Sequence, residues 1–301
     1  MTTIRLRDDR SLILRDRVWE GTISNVFDAT LCDTKPVVAN PKKVRNRYER
    51  IMDQAAAGDT RSVLVRVAKQ PYYNDLLERD IAVLGQLHPE QGIADRSFPK
   101  YYPASYGGVL VDGLQGHILE RIQNCVTLAD VLKAYPGGID YRDMAWMVKR
   151  ILVGLWFAHK RGIIHGAVLP QHILLTLHDH GGRLIDWAYS TEPRVKVPAM
   201  VTEYEDYYPP EVPNSEPAME STDIYMVVKC AQALLGVDLK TKDFPDSVPE
   251  PIRNLFVLCL NESPRMRSID ASLVHDTFDR LLKEAVGKPT FRPFSMPEPI
   301  L

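Results

Sequence analysis

The stretch IIHGAVLPQHILLTLHDHGGRLIDWA, residues 163–188, decides the fold. Two short apolar runs flank a polar turn, HDHGG, which reads as strand, loop and strand. Before it, Asp140 is placed to cap a helix whose Met144, Val148, Ile151, Leu155 and Ala158 recur at helical spacing, ending near Gly162. After it comes an irregular stretch rich in proline and acids, Thr191 to Met219. Ser221-Thr222-Asp223 then opens a helix carrying Ile224, Val227, Val228, Ala231, Leu234 and Leu235, which stops at Gly236. It is apolar on most sides, the pattern of a helix buried at the centre of a domain. Two further helices are expected near 249–262 and 269–286, and GKPTFRPFSMPEPIL, residues 287–301, reads as an extended tail.

Working outward to the N-terminal side, the texture is strand. LILRDRVWE and NVFDATL form a hairpin around Gly21 and Ser24. Asn40-Pro41 is a cap and first-turn pair, and Val44, Tyr48, Ile51 and Ala55 share a face, so a helix is expected at about 40–57. SVLVRVA, residues 62–68, is β-branched and alternating. Asn74 to Leu87 follows as a helix with Leu77, Ile81, Leu84 and His88 on one stripe. Asp112-Gly113 sits between two apolar strands, the dipeptide of a tight hairpin.

Composition bounds the rest. The chain has 301 residues, 45% hydrophobic and 25% charged, with Lys+Arg 37 against Asp+Glu 39 and a net charge of -2. Those are globular values, with no excess of either sign to argue for nucleic acid or an anionic membrane as partner. The basic residues Lys42, Lys43, Arg45, Arg47 and Arg50 are interleaved with Glu49, Asp53 and Asp59 and read as a solvated helix face. The N-terminus lacks a signal-peptide core, and no window approaches the ~20 apolar residues of a membrane span. Cys32, Cys125, Cys230 and Cys259 are far apart and read as four ordinary buried thiols in a reducing cytoplasm, with no zinc site or disulfide framework. His165, His172, His178 and His180 with Asp186 have the residue types of a transition-metal cluster. HDHGG, however, reads as an exposed hairpin tip pointing away from His165.

The order hairpin, strand and helix, second hairpin, long helix, H-x-x-x-x-P-x-x-I-L-L and an Asp-aromatic-small triplet resembles the eukaryotic-type protein kinase superfamily, over nearly the whole chain. The resemblance implies an α+β, bilobal protein-kinase-like fold, with a small β-rich N-lobe (1–120) bearing one main helix, a larger helical C-lobe (121–286) and a Pro-rich tail (287–301). Tyr208-Pro209-Pro210-Glu211 is similar to the motif that ends a kinase activation segment. Asp223 matches the Asp opening the central helix, and Arg267 matches the Arg that pairs with the motif's Glu.

The chemistry departs from the family. Where the kinase catalytic loop reads HRDLKPEN, this chain reads HGAVLPQH. The resemblance puts Ala167 in the place of the catalytic Asp, and a methyl can neither orient a hydroxyl nor accept its proton. Leu169 stands in place of the loop lysine, and His172 in place of an Asn that holds a second magnesium. Gly166 replaces an Arg that pairs with a phosphorylated loop, so no phospho-switch of that kind is expected. Ser190, Thr191, Thr202, Tyr204 and Tyr207 lie instead in an acidic, solvated segment with Glu203, Glu205 and Asp206. No catalytic residue is intact except the metal-binding Asp186.

On the nucleotide side, the glycine-rich loop aligns with Trp19, Gly21 and Ser24 at its three glycine places, so only Gly21 is kept. Trp19 there restricts the close approach of backbone N–H groups to phosphate. If Arg66 takes the place of the phosphate-binding lysine, Asp80 follows fourteen residues later at the place of its helix Glu. Lys69 is the alternative, but strand alternation puts it on the opposite face from Arg66 and Ala68. Leu119, Glu120 and Arg121 match the gatekeeper and hinge that read adenine. The resemblance thus implies a nucleotide-binding module using ATP, with Mg or Mn at Asp186 and His172.

Three functions fit these residues. The first is a pseudokinase with a degraded catalytic loop, acting as a regulatory or scaffold module on a protein partner. The second is an active atypical Ser/Thr kinase or other nucleotide-dependent transferase working through Asp186 and metal. The third is a docking module without nucleotide. The tail's Phe291-Arg292-Pro293-Phe294 is similar to hydrophobic motifs that some kinases fold back onto their own N-lobe, and a free tail would dock another protein.

Overall fold

The computed structural model describes residues 2–6, 10–32, 60–88, 98–288 and 290–297. The helix expected at about 40–57 lies outside them. The chain divides into two compact units, Met1–Ile81 with Ala104–Arg121, and Ala82–Pro103 with Ile122–Leu301.

In the first unit the strands are β1 (Thr2–Arg5), β2 (Ser11–Glu20), β3 (Ser24–Cys32), β4 (Thr60–Ala68), β5 (Ser105–Val111) and β6 (Leu114–Glu120). They form one antiparallel sheet in the order β1-β2-β3-β4-β6-β5. Alternation selects its core: Leu12, Leu14, Ala29, Leu31, Val63, Val65, Val67, Val109 and Ile118 pack together. Each fully buried Val or Leu contributes about 1.5–3 kcal/mol. β2 keeps this alternation only as far as Leu14. Beyond it the strand is exposed and its register with β3 shifts twice, bending it before the Gly21 turn. Asp112 and Gly113 have φ of 52° and 80°, the left-handed pair that a two-residue hairpin turn needs.

Helix α1 (Asn74–Leu87) buries Leu77, Asp80, Leu84 and Leu87 on one face, and the boundary between the units falls within it. An acid thus occupies the centre of an apolar stripe.

The second unit holds β7 (Val126–Thr127), α2 (Leu128–Ala134), α3 (Tyr141–His159), β8 (Ile173–Thr176), β9 (Gly181–Leu184), α4 (Glu220–Leu234), α5 (Glu250–Cys259) and α6 (Ala271–Val286). α2 begins with a capping box between Thr127 and Asp130. Asp140 caps α3 by accepting the Arg142 N–H at 2.8 Å, and Asp270 caps α6 through the N–H groups of Ser272 and Leu273. Such caps contribute about 0.5–2 kcal/mol each. α4 is buried nearly all round, and α3 packs on α4, α6 and β9.

Segment 187–219 is tied down by Glu211, which is buried. Its oxygens accept from both terminal nitrogens of Arg267 at 2.7 and 2.9 Å and from Thr222 Oγ1 at 2.9 Å. Ser190 and Thr191 are buried, whereas Glu203, Glu205 and Asp206 are exposed.

One expectation changes. HDHGG is not a uniformly exposed tip: His178 and Asp179 are exposed, but His180 is buried, stacked on Trp146 at 4.2 Å. The described part of the tail, read from the sequence as extended, packs within the helical unit. Phe291 stacks on His180, and Phe294 sits by Tyr135 and Trp146, all within the helical unit. The physical reason is shape and charge, since that surface offers aromatic faces beside two carboxylates to a segment built of Phe, Arg and Phe.

The whole is a mixed α/β architecture compatible with the bilobal fold that the resemblance implies. Among the described residues, no helix is long and apolar enough to cross a membrane.

Candidate functional site

In the first unit the sheet register makes Arg66 of β4 and His117 of β6 direct cross-strand partners. Both reach the buried acid of α1. Arg66 Nη1 donates to Asp80 Oδ2 at 3.2 Å, and His117 Nδ1 lies 2.7 Å from the same oxygen. Because a carboxylate oxygen accepts, Nδ1 carries the ring proton, and Nε2 meets the Ser105 hydroxyl at 2.8 Å. The rest of the guanidinium is fixed by Ser24, whose Oγ accepts from Nε at 3.2 Å and Nη2 at 3.1 Å. All four groups, Ser24, Arg66, Asp80 and His117, are 6% exposed or less. The guanidinium fork is thus held from both sides inside the unit.

Lys69 does other work. Its ammonium pairs with Glu20 at 2.8 Å and donates to the Gly21 carbonyl at 3.1 Å, clamping the hairpin. The Lys69 hydrogen bond, with Arg17 adding to it, holds the Glu20 carboxyl below its usual range. At Gly21 a Cβ would run into the Trp19 ring, so the indole covers this glycine while remaining 45% exposed. Leu119 is buried. Glu120 accepts the Ala104 N–H at 3.0 Å, and Arg121 pairs with Asp28.

In the second unit the loop between α3 and β8 is built around Asp223. Its carboxylate accepts the N–H groups of His165 at 2.8 Å and Gly166 at 2.9 Å, and meets His159 Nε2 at 2.9 Å. Gly166 has φ of 73°, and a Cβ there would stand 2.6 Å from the Tyr189 carbonyl oxygen, so neither the conformation nor the space admits a side chain. Ala167, Val168 and Leu169 are each fully buried.

His165 Nδ1 accepts the Ala167 N–H at 3.3 Å, while Nε2 donates to the Ile185 carbonyl at 3.1 Å. That fixes the neutral ring, and desolvation pulls its pKa down to about 4.

His172 and Asp186 come together. The His172 ring gives Nδ1–H to the Ala167 carbonyl at 2.9 Å, which turns Nε2 toward Asp186 Oδ2 at 3.2 Å. The Gln171 side-chain amide lies 3.2 Å from the same Nε2. Asp186 has φ of 66° and ψ of 59°, a left-handed conformation that Asp tolerates better than most residues. With Nδ1 carrying the ring proton, Nε2 accepts from that Gln171 amide while facing the Asp186 carboxylate. One carboxylate and one imidazole are part of a metal's donor set. Among the described residues, no group of three His, Cys, Asp or Glu is placed to complete it.

Of the residues singled out from the sequence, the structure joins Arg66 to Asp80 and His172 to Asp186. Gly21 stands under Trp19, while Leu119, Glu120 and Arg121 make sheet and loop contacts. Sequence reasoning missed His117, which looks like one more residue of an apolar strand. The available signal was its place opposite Arg66 once the strands are paired.

No family model matches the chain. It is 24% identical over 163 residues to Serine/threonine-protein kinase SKM1 of Saccharomyces cerevisiae, a match covering 53% of this chain and 24% of the relative. It is 25% identical over 168 residues to Aurora kinase C of Mus musculus, covering 46% of this chain and 59% of the relative. The matches thus span about a quarter of one relative and under two thirds of the other. These similarities support a kinase-like relationship over about half the chain.

Proposed function

We propose that this chain is a pseudokinase: a bilobal protein-kinase-like module that binds ATP with a divalent cation, lacks conventional phosphoryl transfer, and regulates or scaffolds a protein partner. The observation that carries this reading is the fully buried Ala167-Val168-Leu169 segment. Where a transferase needs a solvated carboxylate and a lysine, this loop presents only a methyl and two aliphatic side chains. General-base catalysis is typically worth ~10²–10⁴ in rate, and the loop lysine's charge is lost with it.

The remaining groups suit binding. Arg66, at the place of the phosphate-binding lysine, would turn part of its guanidinium from Ser24 to phosphate oxygens while keeping Asp80. Asp186 and His172 would hold a divalent cation, which when bound neutralises phosphate charge. A mixed carboxylate and imidazole set suits Mn²⁺ better than Mg²⁺, which prefers oxygen donors. Nucleotide oxygens or water would complete its coordination.

Calorimetric titration of ATP in Mg²⁺, in Mn²⁺ and with chelator tests the reading. Binding that is tighter with Mn²⁺, and weakened about 10–100-fold by Arg66→Ala, is expected for loss of a charge-assisted bond. Arg66→Lys keeps a charge beside buried Asp80 and controls for unfolding. Absence of binding by the native chain under all three conditions would leave only a docking role and refute the proposal.

A further inference from the structure

The described part of the tail occupies a surface of the helical unit in a defined way. The Phe291 ring stacks on His180 with centroids 4.3 Å apart, and His180 lies nearly parallel to Trp146, at 5° and 4.2 Å. The Phe294 ring stands 5.6 Å from Tyr135 and 6.4 Å from Trp146. Between the two rings, Arg292 reaches Asp140 at 3.2 Å and Asp143 at 3.3 Å. The Tyr135 hydroxyl donates to the Ser295 carbonyl at 2.6 Å, fixing the backbone, and Arg150 Nε holds the His180 carbonyl at 2.7 Å. Aromatic, cation and aromatic meet aromatic, acid pair and aromatic.

Two features bear on what this groove takes and on how the tail sits in it. Asp143 is 7% exposed, and its Oδ1 has no hydrogen-bond partner among the described residues. Asp140 is already forked by Arg142 at 2.6 and 2.9 Å, whereas Asp143, pushed up by burial, has Arg292 as the main charge opposing that shift. Yet Phe291 remains 62% exposed, and residues 290–297 have no regular secondary structure. A segment that seats its first aromatic ring more deeply would compete successfully for the same surface.

We propose that this groove is a peptide-docking site for protein partners carrying an aromatic–Arg–x–aromatic segment, and that residues 291–295 hold it shut in the resting chain. The partner's arginine replaces Arg292 between Asp140 and Asp143, its aromatics replace Phe291 and Phe294, and the tail is displaced. The inference is independent of nucleotide binding.

The test is fluorescence polarisation with a labelled peptide of sequence TFRPFSMP, residues 290–297, against the full-length chain. The linked tail competes at an effective concentration in the mM range. Full-length Phe291→Ala/Phe294→Ala, whose tail no longer fills the groove, should therefore bind the peptide at least tenfold more tightly than the native chain. Replacing the peptide's arginine with alanine, which cannot affect folding of the protein, should weaken binding at least tenfold. Asp143→Asn in the tail-weakened chain should do the same at unchanged melting temperature. Equal binding by native and tail-weakened chains, no binding by either, or indifference to the peptide's arginine would overturn the proposal.

Discussion

Replacing Arg267 with methionine removes the cation that, among the described residues, pairs with the Glu211 carboxylate, which is 1% exposed. In the native chain Glu211 receives two guanidinium N–H bonds at 2.7 and 2.9 Å, plus the Thr222 hydroxyl at 2.9 Å. Arg267 itself is further held by the carbonyls of Asn261 and Glu262. After Arg267→Met the carboxylate keeps only Thr222, a buried charge without compensation, for which the loss is about 3–5 kcal/mol. For a unit of this size that corresponds to a fall in Tm of about 6–20 °C. Removing the charge as well, in Glu211→Gln/Arg267→Met, should recover part of the loss, because the larger penalty belongs to the stranded ion rather than to the missing contact. Urea unfolding followed by far-UV circular dichroism measures Arg267→Met, Glu211→Gln and the double variant, and closes the double-mutant cycle. A single-variant loss under about 1 kcal/mol, or a double variant as unstable as the sum of the singles, would refute the reasoning.

Other outcomes follow from the same geometry. His165 has its folded pKa lowered to about 4 from 6.5, so its contribution to stability is intact above pH 6.5 and is lost as pH falls toward 4. The lost increment is about 3 kcal/mol, measurable as a pH-dependent urea midpoint that flattens in His165→Asn. Gly166→Ala should destabilise by at least about 2 kcal/mol, combining a left-handed φ with the close Tyr189 carbonyl. Gly162→Ala, with a similar φ of 69° and nothing within 4 Å of the new Cβ, should cost only about 1 kcal/mol, and equal losses would show that backbone crowding at 166 is unimportant. The Cys259 thiol is pushed up to about 12 and Cys230 higher still, both by burial. An aromatic disulfide reagent should therefore leave both unmodified in the native chain, and label them only on unfolding.

Much of the architecture was legible because it follows from periodicity. α1 spans the expected Asn74–Leu87, and α4 begins within a residue of the Ser221-Thr222-Asp223 start. The hairpin turn at Asp112-Gly113 followed from backbone chemistry alone. Helix α2 was overlooked although its signal was present: Thr127 and Asp130 form a capping box before a single apolar turn. Seven residues are too few to establish a helical stripe against the background of the preceding strand.

The site residues divide along the same line. Arg66 and Asp80 are separated by a strand, a turn and a helix, yet spacing brought them into one argument. His117 depends on strand register, which is a property of the paired sheet rather than of its own segment. The tail's resting place was equally hidden, since it needs Tyr135, Asp143, Trp146 and His180 assembled from three separate stretches of chain.

The most direct test of the central claim is the intact mass of the purified chain, and of a generic acceptor protein, after incubation with MgATP and separately with MnATP. The proposed pseudokinase predicts no phosphoryl or adenylyl gain on either protein under conditions where calorimetry shows nucleotide bound. A mass gain that disappears in Asp186→Ala would contradict it, and would show that the buried alanine loop is compatible with transfer after all.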